Sequence, residues 1–293
     1  MKIFAYICSV LIYYYTIVNI ENLRFYYRKS KPIFDHVSFE MKGGIYGLLG
    51  ENGVGKTTLL HIISGLSFPK EGSCEVLGFN SSLRNPQMMQ QMYYLPEEFI
   101  LPAITIKDYV KVNSAFYPNF SYEQFDSYLA DFHLENDLRL TELSFGQKKK
   151  AIIAYAIALN TPITLLDEPT NGLDIPSKAQ FRKVIASAFD ENKCIVISTH
   201  QVRDLENLID PIIILDRNQV LLNNSVAEIT EKLLFSYTTE KPINTLYSEQ
   251  TILGYTSVSE NKHKEESSLN IEALFNAVVM NKGKMKELFN IKG

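Results

Sequence analysis

Tryptophan is absent from this 293-residue chain, and cysteine occurs three times, as Cys8, Cys74 and Cys194. An odd, scattered set without CxxC spacing excludes a disulfide framework and offers no zinc pattern, which fits a reducing compartment. Charge of one sign is also scarce, because 29 Lys and Arg face 33 Asp and Glu, for a net charge of -4. No broad basic surface draws in phosphates, and no specific nucleic acid partner is expected. Internal repeats and low-complexity segments are missing as well. The N-terminus is where a membrane reading must be weighed, because Ile3 to Ile20 carry no formal charge. From Ile17 to Phe25 the residues partly alternate and read as a first strand, which leaves Ile3 to Tyr15, about 13 residues, short for a membrane span. Lys2 gives only a minimal basic region and no small-residue cleavage site follows, so a signal peptide is disfavoured. Residues 1–16 are read as a hydrophobic leader, appended or carried by a start codon assigned too early, with a membrane anchor as the alternative.

With 46% hydrophobic residues, the chain can bury a substantial core. From Ile17 to about Val226 short apolar runs alternate with helical patterns, as in an α/β fold with a mostly parallel sheet. The strongest strand candidates are Ile45 to Leu49, Ile163 to Leu166, Ile195 to Ser198 and Ile212 to Leu215. Chemistry is expected just after them, since open α/β sheets bind ligands beyond the carboxyl ends of their strands. Between about 85 and 160 the composition turns helical and aromatic, with Tyr109, Phe116, Tyr117, Phe120, Tyr122, Phe125, Tyr128 and Phe132, and reads as a helical subdomain. Residues 227–293 read as a C-terminal accessory region. It has candidate strands at Leu234 to Thr239 and Thr251 to Val258 and an amphipathic helix with Ile271, Leu274, Phe275 and Val278 on one face.

Gly50, Glu51, Asn52, Gly53, Val54, Gly55, Lys56 and Thr57, with Thr58 behind them, fit the phosphate-binding loop pattern between a strand and a helix. Glycines let backbone N–H groups curl around phosphate oxygens, Lys56 reaches the outer phosphates and the Thr57 hydroxyl can ligate Mg²⁺. ATP and Mg²⁺ are the expected ligands. At the end of the run Ile163, Thr164, Leu165, Leu166 come two carboxylates, Asp167 and Glu168. Neighbouring side chains diverge, so Asp167 can face the Mg²⁺ coordination sphere while Glu168 faces the water that attacks the γ-phosphate. A pair that merely caps the turn Pro169, Thr170, Asn171, Gly172 is the alternative, and the phosphate loop argues against it.

With these motifs in this order, the sequence resembles the ATP-binding cassette (ABC) family from Ile17 to about Ile229. Leu143, Ser144, Phe145, Gly146 and Gln147 match its signature motif, although Phe145 replaces the usual glycine. The resemblance implies a P-loop NTPase of the ABC ATPase type, with an antiparallel β subdomain, a helical subdomain and a small C-terminal α+β appendage. It implies that the signature contacts the nucleotide of an opposite subunit in a head-to-tail dimer, homodimeric or heterodimeric. It further implies that Asp174, after Asn171, Gly172 and Leu173, lies in the loop joining the two sites, and that His200, after Ser198 and Thr199, contacts the γ-phosphate. Glu168, His200 and Lys56 are the expected catalytic residues, with Thr57, Glu97 and, through water, Asp167 at Mg²⁺. Tyr27 is aligned with the ring that stacks on adenine, with Tyr26 as the alternative. Glu97 departs from the glutamine common in the family, and this acidic form and the short insertion point toward export. Lys148, Lys149 and Lys150 read as a solvated helix face, and His36, His61, His133 and His263 as structural.

The function implied is an ATP-hydrolysing subunit of a transporter, peripheral on the inner face of the cell membrane and working through an integral permease on another chain. The aromatic insertion is the expected contact surface for that permease. The alternative is a soluble cassette acting as an ATP-driven clamp on nucleic acid or ribosomes. A single cassette and the lack of sustained heptads favour the transporter.

Overall fold

A computed structural model describes residues 16–290, so the leader reading falls outside the described residues except at Thr16. Strands β1 (Val18–Phe25), β2 (Phe34–Met41), β4 (Glu71–Val76) and β5 (Phe79–Asn80) form an antiparallel sheet in the order β2-β1-β4-β5. The central sheet contains β3 (Gly44–Leu49), β6 (Met92–Leu95), β7 (Ile163–Asp167), β8 (Cys194–Thr199), β9 (Ile212–Asp216) and β10 (Gln219–Asn224). Its order is β10-β9-β3-β8-β7-β6, parallel apart from the β10 hairpin.

Every residue of β3, β7 and β8 is buried. Such strands are covered on both faces, so they appear in the sequence as largely apolar runs rather than alternations. On one face lies α1 (Lys56–Ile63), whose Leu59, Leu60, Ile62 and Ile63 pack with Val18, Phe34 and Met41 of the antiparallel sheet. The other face carries α5 (Phe145–Ala158) and α6 (Ile175–Ala188), with α3 (Ile106–Asn113) and α4 (Tyr122–Asp131) outside them and the short α2 (Pro86–Met89) beside β6. The insertion's aromatics turn largely inward, for the Tyr155 ring meets Tyr93 at 5.7 Å, Tyr109 at 5.5 Å and Phe120 at 5.9 Å. Phe116 and Tyr122 remain exposed.

After α7 (Val226–Lys232) come β11 (Leu233–Thr238), β12 (Tyr247–Thr251) and β13 (Gly254–Glu260), ordered β11-β13-β12, then α8 (Ile271–Met280) and α9 (Lys282–Phe289). The run Thr251 to Val258, expected as one strand, instead straddles a hairpin turn. Thr251 pairs with Gly254, and Ile252 and Leu253 form the exposed tip. Apolar composition cannot distinguish a tip from a strand interior, and Gly254 marks the turn. Phe235, Val258, Leu274, Val278 and Met285 join the same core as Ile197, Ile212, Ile214 and Leu221 of the central sheet. Among the described residues no helix is long and apolar enough to cross a membrane.

Candidate functional site

Because β3, β8, β7 and β6 are parallel neighbours, the segments that follow them emerge on one edge of the sheet. That places the Gly50 loop, His200, the Asp167–Glu168 pair and Glu97 along that edge, where open α/β sheets bind ligands. Gly55 has φ 116°, and a Cβ there would stand 2.6 Å from Ile33 Cγ2 and 3.1 Å from the Phe34 ring. Only glycine meets both demands. No side chain caps the start of α1, so its first N–H groups stay available to an anion. Lys56 curls back beneath the loop and donates to the Gly50 carbonyl at 2.8 Å. Burial pushes its ammonium pKa down, against the opposing pull of Glu168 and Asp167.

Thr57 Oγ1 donates to Asp167 Oδ2 at 2.7 Å, and Ser198 Oγ donates to Asp167 Oδ1. Ser198 Oγ also accepts the Glu168 N–H at 3.0 Å. The neighbouring Glu168 carboxylate is buried, with Oε1 2.9 Å from His200 Nδ1 and 3.7 Å from Lys56 Nζ. Among the described residues its Oε2 has no hydrogen-bond partner. A buried carboxylate oxygen left open beside the phosphate loop is where a water molecule or a substrate group would be received. The Asp167 and Glu168 side chains thus diverge, one toward Thr57 and the other toward His200.

Glu97 Oε1 accepts from Asn171 Nδ2 at 2.9 Å, and its charge acts on Lys56. Thr57, Asp167 and Glu97 make an all-oxygen set suited to a hard divalent cation. Among the described residues no cluster of three or more His, Cys, Asp or Glu side chains forms a metal cage. An oxygen set of this kind is compatible with Mg²⁺, which takes few protein ligands and completes its shell with phosphates and water.

Tyr27 is 66% exposed, stands edge-on to Phe25 at 5.1 Å and brings its hydroxyl within 3.5 Å of Thr58 Oγ1. Phe25 is the member of the aromatic triplet that turns into the core, while Tyr26 lies under Lys70. Leu143 is buried, and Ser144 caps α5 through a reciprocal box with Gln147, at 3.3 Å and 2.9 Å. Phe145 stacks on Phe99 at 6.4 Å, and Gly146 and Gln147 are partly exposed. Among the described residues no hydrogen bond joins Leu143–Gln147 to the Gly50–Thr58 loop of the same chain. The Phe145 ring also lies over Gly172, where a Cβ would stand 2.8 Å from Cε1. Asp174 caps α6, accepting the Ser177 N–H at 2.9 Å, and those bonds hold its carboxyl below the usual range.

Two expectations change. Lys149 is not on a solvated face: its side chain is buried and its ammonium donates to the carbonyls of Glu168, at 2.6 Å, and Asn171, at 3.1 Å. Lys150 likewise reaches the Phe132 carbonyl at 3.1 Å. His61, read as structural, has its Nε2 3.0 Å from the Tyr94 hydroxyl, which donates to Asp167 Oδ2 at 3.4 Å. Burial and the Asp167 charge push the Tyr94 phenol pKa up.

The family model described as ABC transporter matches residues 34–171. An ABC transporter ATP-binding protein of Methanocaldococcus jannaschii is 30% identical over 225 residues, 74% of this chain and 81% of that protein. The Bacillus subtilis protein AlbC, named as an ABC transporter ATP-binding protein, is 29% identical over 74% of this chain and 95% of its own length. The Bacillus subtilis SkfA peptide export ATP-binding protein SkfE is 28% identical over 74% of this chain and 92% of its own. Among solved structures, an ATP-binding subunit of an ABC transporter superposes with a TM-score of 0.65 at 24% identity, covering 73% of this chain and 92% of that one. A bacterial Atm1-family ABC exporter with ATP bound gives 0.63 at 21% identity, covering 73% of this chain and 39% of that one. These likenesses in sequence, with the shared α/β architecture, show that the chain belongs to the ABC transporter family, as an ATP-binding subunit that hydrolyses ATP to power transport.

Proposed function

We propose that this subunit hydrolyses ATP at the interface of a head-to-tail dimer, formed with a second copy or a related cassette, with Glu168 as general base. The observation that carries this reading is the buried Glu168 carboxylate, engaged through Oε1 by His200 and Lys56 while Oε2 is left open. Glu168 orients a water molecule and takes up its proton as the water attacks the γ-phosphate. Lys56, the loop N–H groups of Gly50–Thr58 and His200 hold the charge that develops on the phosphate oxygens. Ser144–Gln147, free of their own chain's phosphate loop, contact the nucleotide of the opposite subunit, and Asp174 lies in the loop joining the two sites. Tyr27 stacks on adenine, a role supported by its exposed ring beside Thr58. Thr57, Glu97 and Asp167 would hold Mg²⁺, which would neutralise phosphate charge when bound. We assign 17–226 to the ATPase domain, with a helical subdomain at about 85–160, and 227–293 to an accessory region.

The subunit works on the cytoplasmic face of the cell membrane through a separate permease, docked on the helical subdomain where Phe116 and Tyr122 are exposed. Export is the proposed direction, in line with the peptide export named for SkfE. The test is Glu168→Gln in the complex with the permease. ATP binding is retained, turnover is abolished and an ATP-bound dimer accumulates on size-exclusion chromatography. Wild-type turnover in that variant would sink the assignment.

A further inference from the structure

Lys149 has its side chain fully buried in the second turn of α5. Burial disfavours the charged form and pushes its pKa down, while Glu97, Glu168 and Asp167 oppose that shift. A hydrophobic residue of similar length would fill the same space without that penalty, so packing alone does not require lysine. The carbonyls of Glu168 and Asn171 do require a donor, and an ammonium can serve both at once. The Phe145 ring covers the same ammonium at 5.6 Å.

The two carbonyls bracket a turn that is itself closed by the Asn171 N–H on the Glu168 carbonyl at 3.2 Å. Glu168 has φ 45°, a left-handed conformation that a non-glycine residue keeps only where its surroundings over-determine it. Its peptide groups are gripped on both sides, the N–H by Ser198 and the carbonyl by Lys149. Asn171 extends the grip sideways, donating to Glu97 and accepting from Gln201 Nε2 at 3.4 Å, next to His200.

We propose that Lys149 is a positioning residue for the hydrolytic step: it fixes the backbone that aims the Glu168 carboxylate and ties that backbone to the helix beginning at Ser144. The proposal rests on the reading of Glu168 as general base and of Ser144–Gln147 as the contact to the opposite nucleotide. Through the rigid first turns of α5, engagement of Ser144–Gln147 by one nucleotide reaches the base that acts on the other. A coupling of this kind needs no movement of Lys56 or of the phosphate loop, so it alters turnover and leaves nucleotide affinity in place.

The experiment compares the parent complex with Lys149→Met, which keeps length and loses every donor, and Lys149→Gln, which keeps an amide donor. Lys149→Met lowers kcat for Mg·ATP hydrolysis about tenfold or more, the scale on which small misplacements of a reacting group act, with KM within about threefold of the parent. Lys149→Gln recovers part of the loss. Thermal unfolding checks that both variants are folded. If Lys149→Met does not fold, Lys149→Gln is read by the same split between kcat and KM. A kcat within about twofold of the parent, or a loss that appears mainly in KM, overturns the proposal. Failure of both variants to fold assigns the ammonium to the core alone and also overturns it. Glu168→Gln is measured in parallel. If it turns over normally, the reading of Glu168 falls and takes this proposal with it. If it is dead while Lys149→Met stays active, only the positioning role falls.

Discussion

His200 Nδ1 lies 2.9 Å from Glu168 Oε1, the oxygen that Lys56 Nζ also approaches at 3.7 Å, so two donors converge on one atom while Oε2 is left open. On the proposed reading, a histidine so placed orients the carboxylate and meets the incoming phosphate. His200→Ala therefore lowers ATP turnover about a hundredfold, the scale for removing one donor aimed at developing charge. Nucleotide binding persists. Steady-state ATPase rates set beside equilibrium binding check this, and a fall of less than about fivefold would remove His200 from the charge-stabilising set.

Ser198 serves both carboxylate residues, donating to Asp167 Oδ1 and accepting the Glu168 N–H. Ser198→Ala leaves a buried carboxylate oxygen short of a donor, which destabilises the fold by about 1–3 kcal/mol. Turnover falls in the same variant, because the Glu168 backbone loses one of its supports. Chemical unfolding and an ATPase assay on one preparation read both effects, and an unchanged midpoint would show that Ser198 bears no strain.

Tyr27 presents an exposed ring, so its contribution is read in affinity rather than rate. Tyr27→Ala weakens ATP binding by about 1 kcal/mol, while Tyr27→Phe keeps most of it, as stacking requires a ring and no hydroxyl. Tyr26→Ala serves as the control and leaves affinity in place. The reverse ranking, measured by titration calorimetry, would move the adenine contact to Tyr26.

Glu97 carries a charge where its amide analogue is common in the family. Its Oε1 accepts from Asn171, a contact that the side-chain oxygen of Glu97→Gln can reproduce. That variant keeps ATPase activity within about threefold and keeps coupled transport, since an oxygen ligand is retained. Loss of turnover in Glu97→Gln would make the second carboxylate oxygen indispensable.

The α/β class, the strands that deliver the site and the phosphate loop were legible in the sequence for one physical reason. Doubly covered parallel strands such as Ile163–Asp167 and Cys194–Thr199 are largely apolar up to their last residues, and the polar residues at and after their ends mark the sheet edge. Composition misled at Lys149, which is fully buried, and at Lys150, which reaches the Phe132 carbonyl. Helical spacing does not separate the three lysines, because every residue from Ala151 to Ala158 is buried and each lysine falls three and four positions before buried residues. The Tyr94–His61 contact to Asp167 joins three distant elements and left no local mark. At Ile252 and Leu253 the apolar run hid a hairpin tip that only the pairing of β12 with β13 defines.

Leu274, Met285 and Phe289 of the last two helices are buried in the same core as Ile212, Ile214 and Leu221. The C-terminal region is thus soldered to the sheet that carries the nucleotide loop rather than tethered to it. A chain severed after α7 would uncover a contiguous oily face and become adhesive. Heat or denaturant should melt both parts together, as a single event that the nucleotide shifts as a whole.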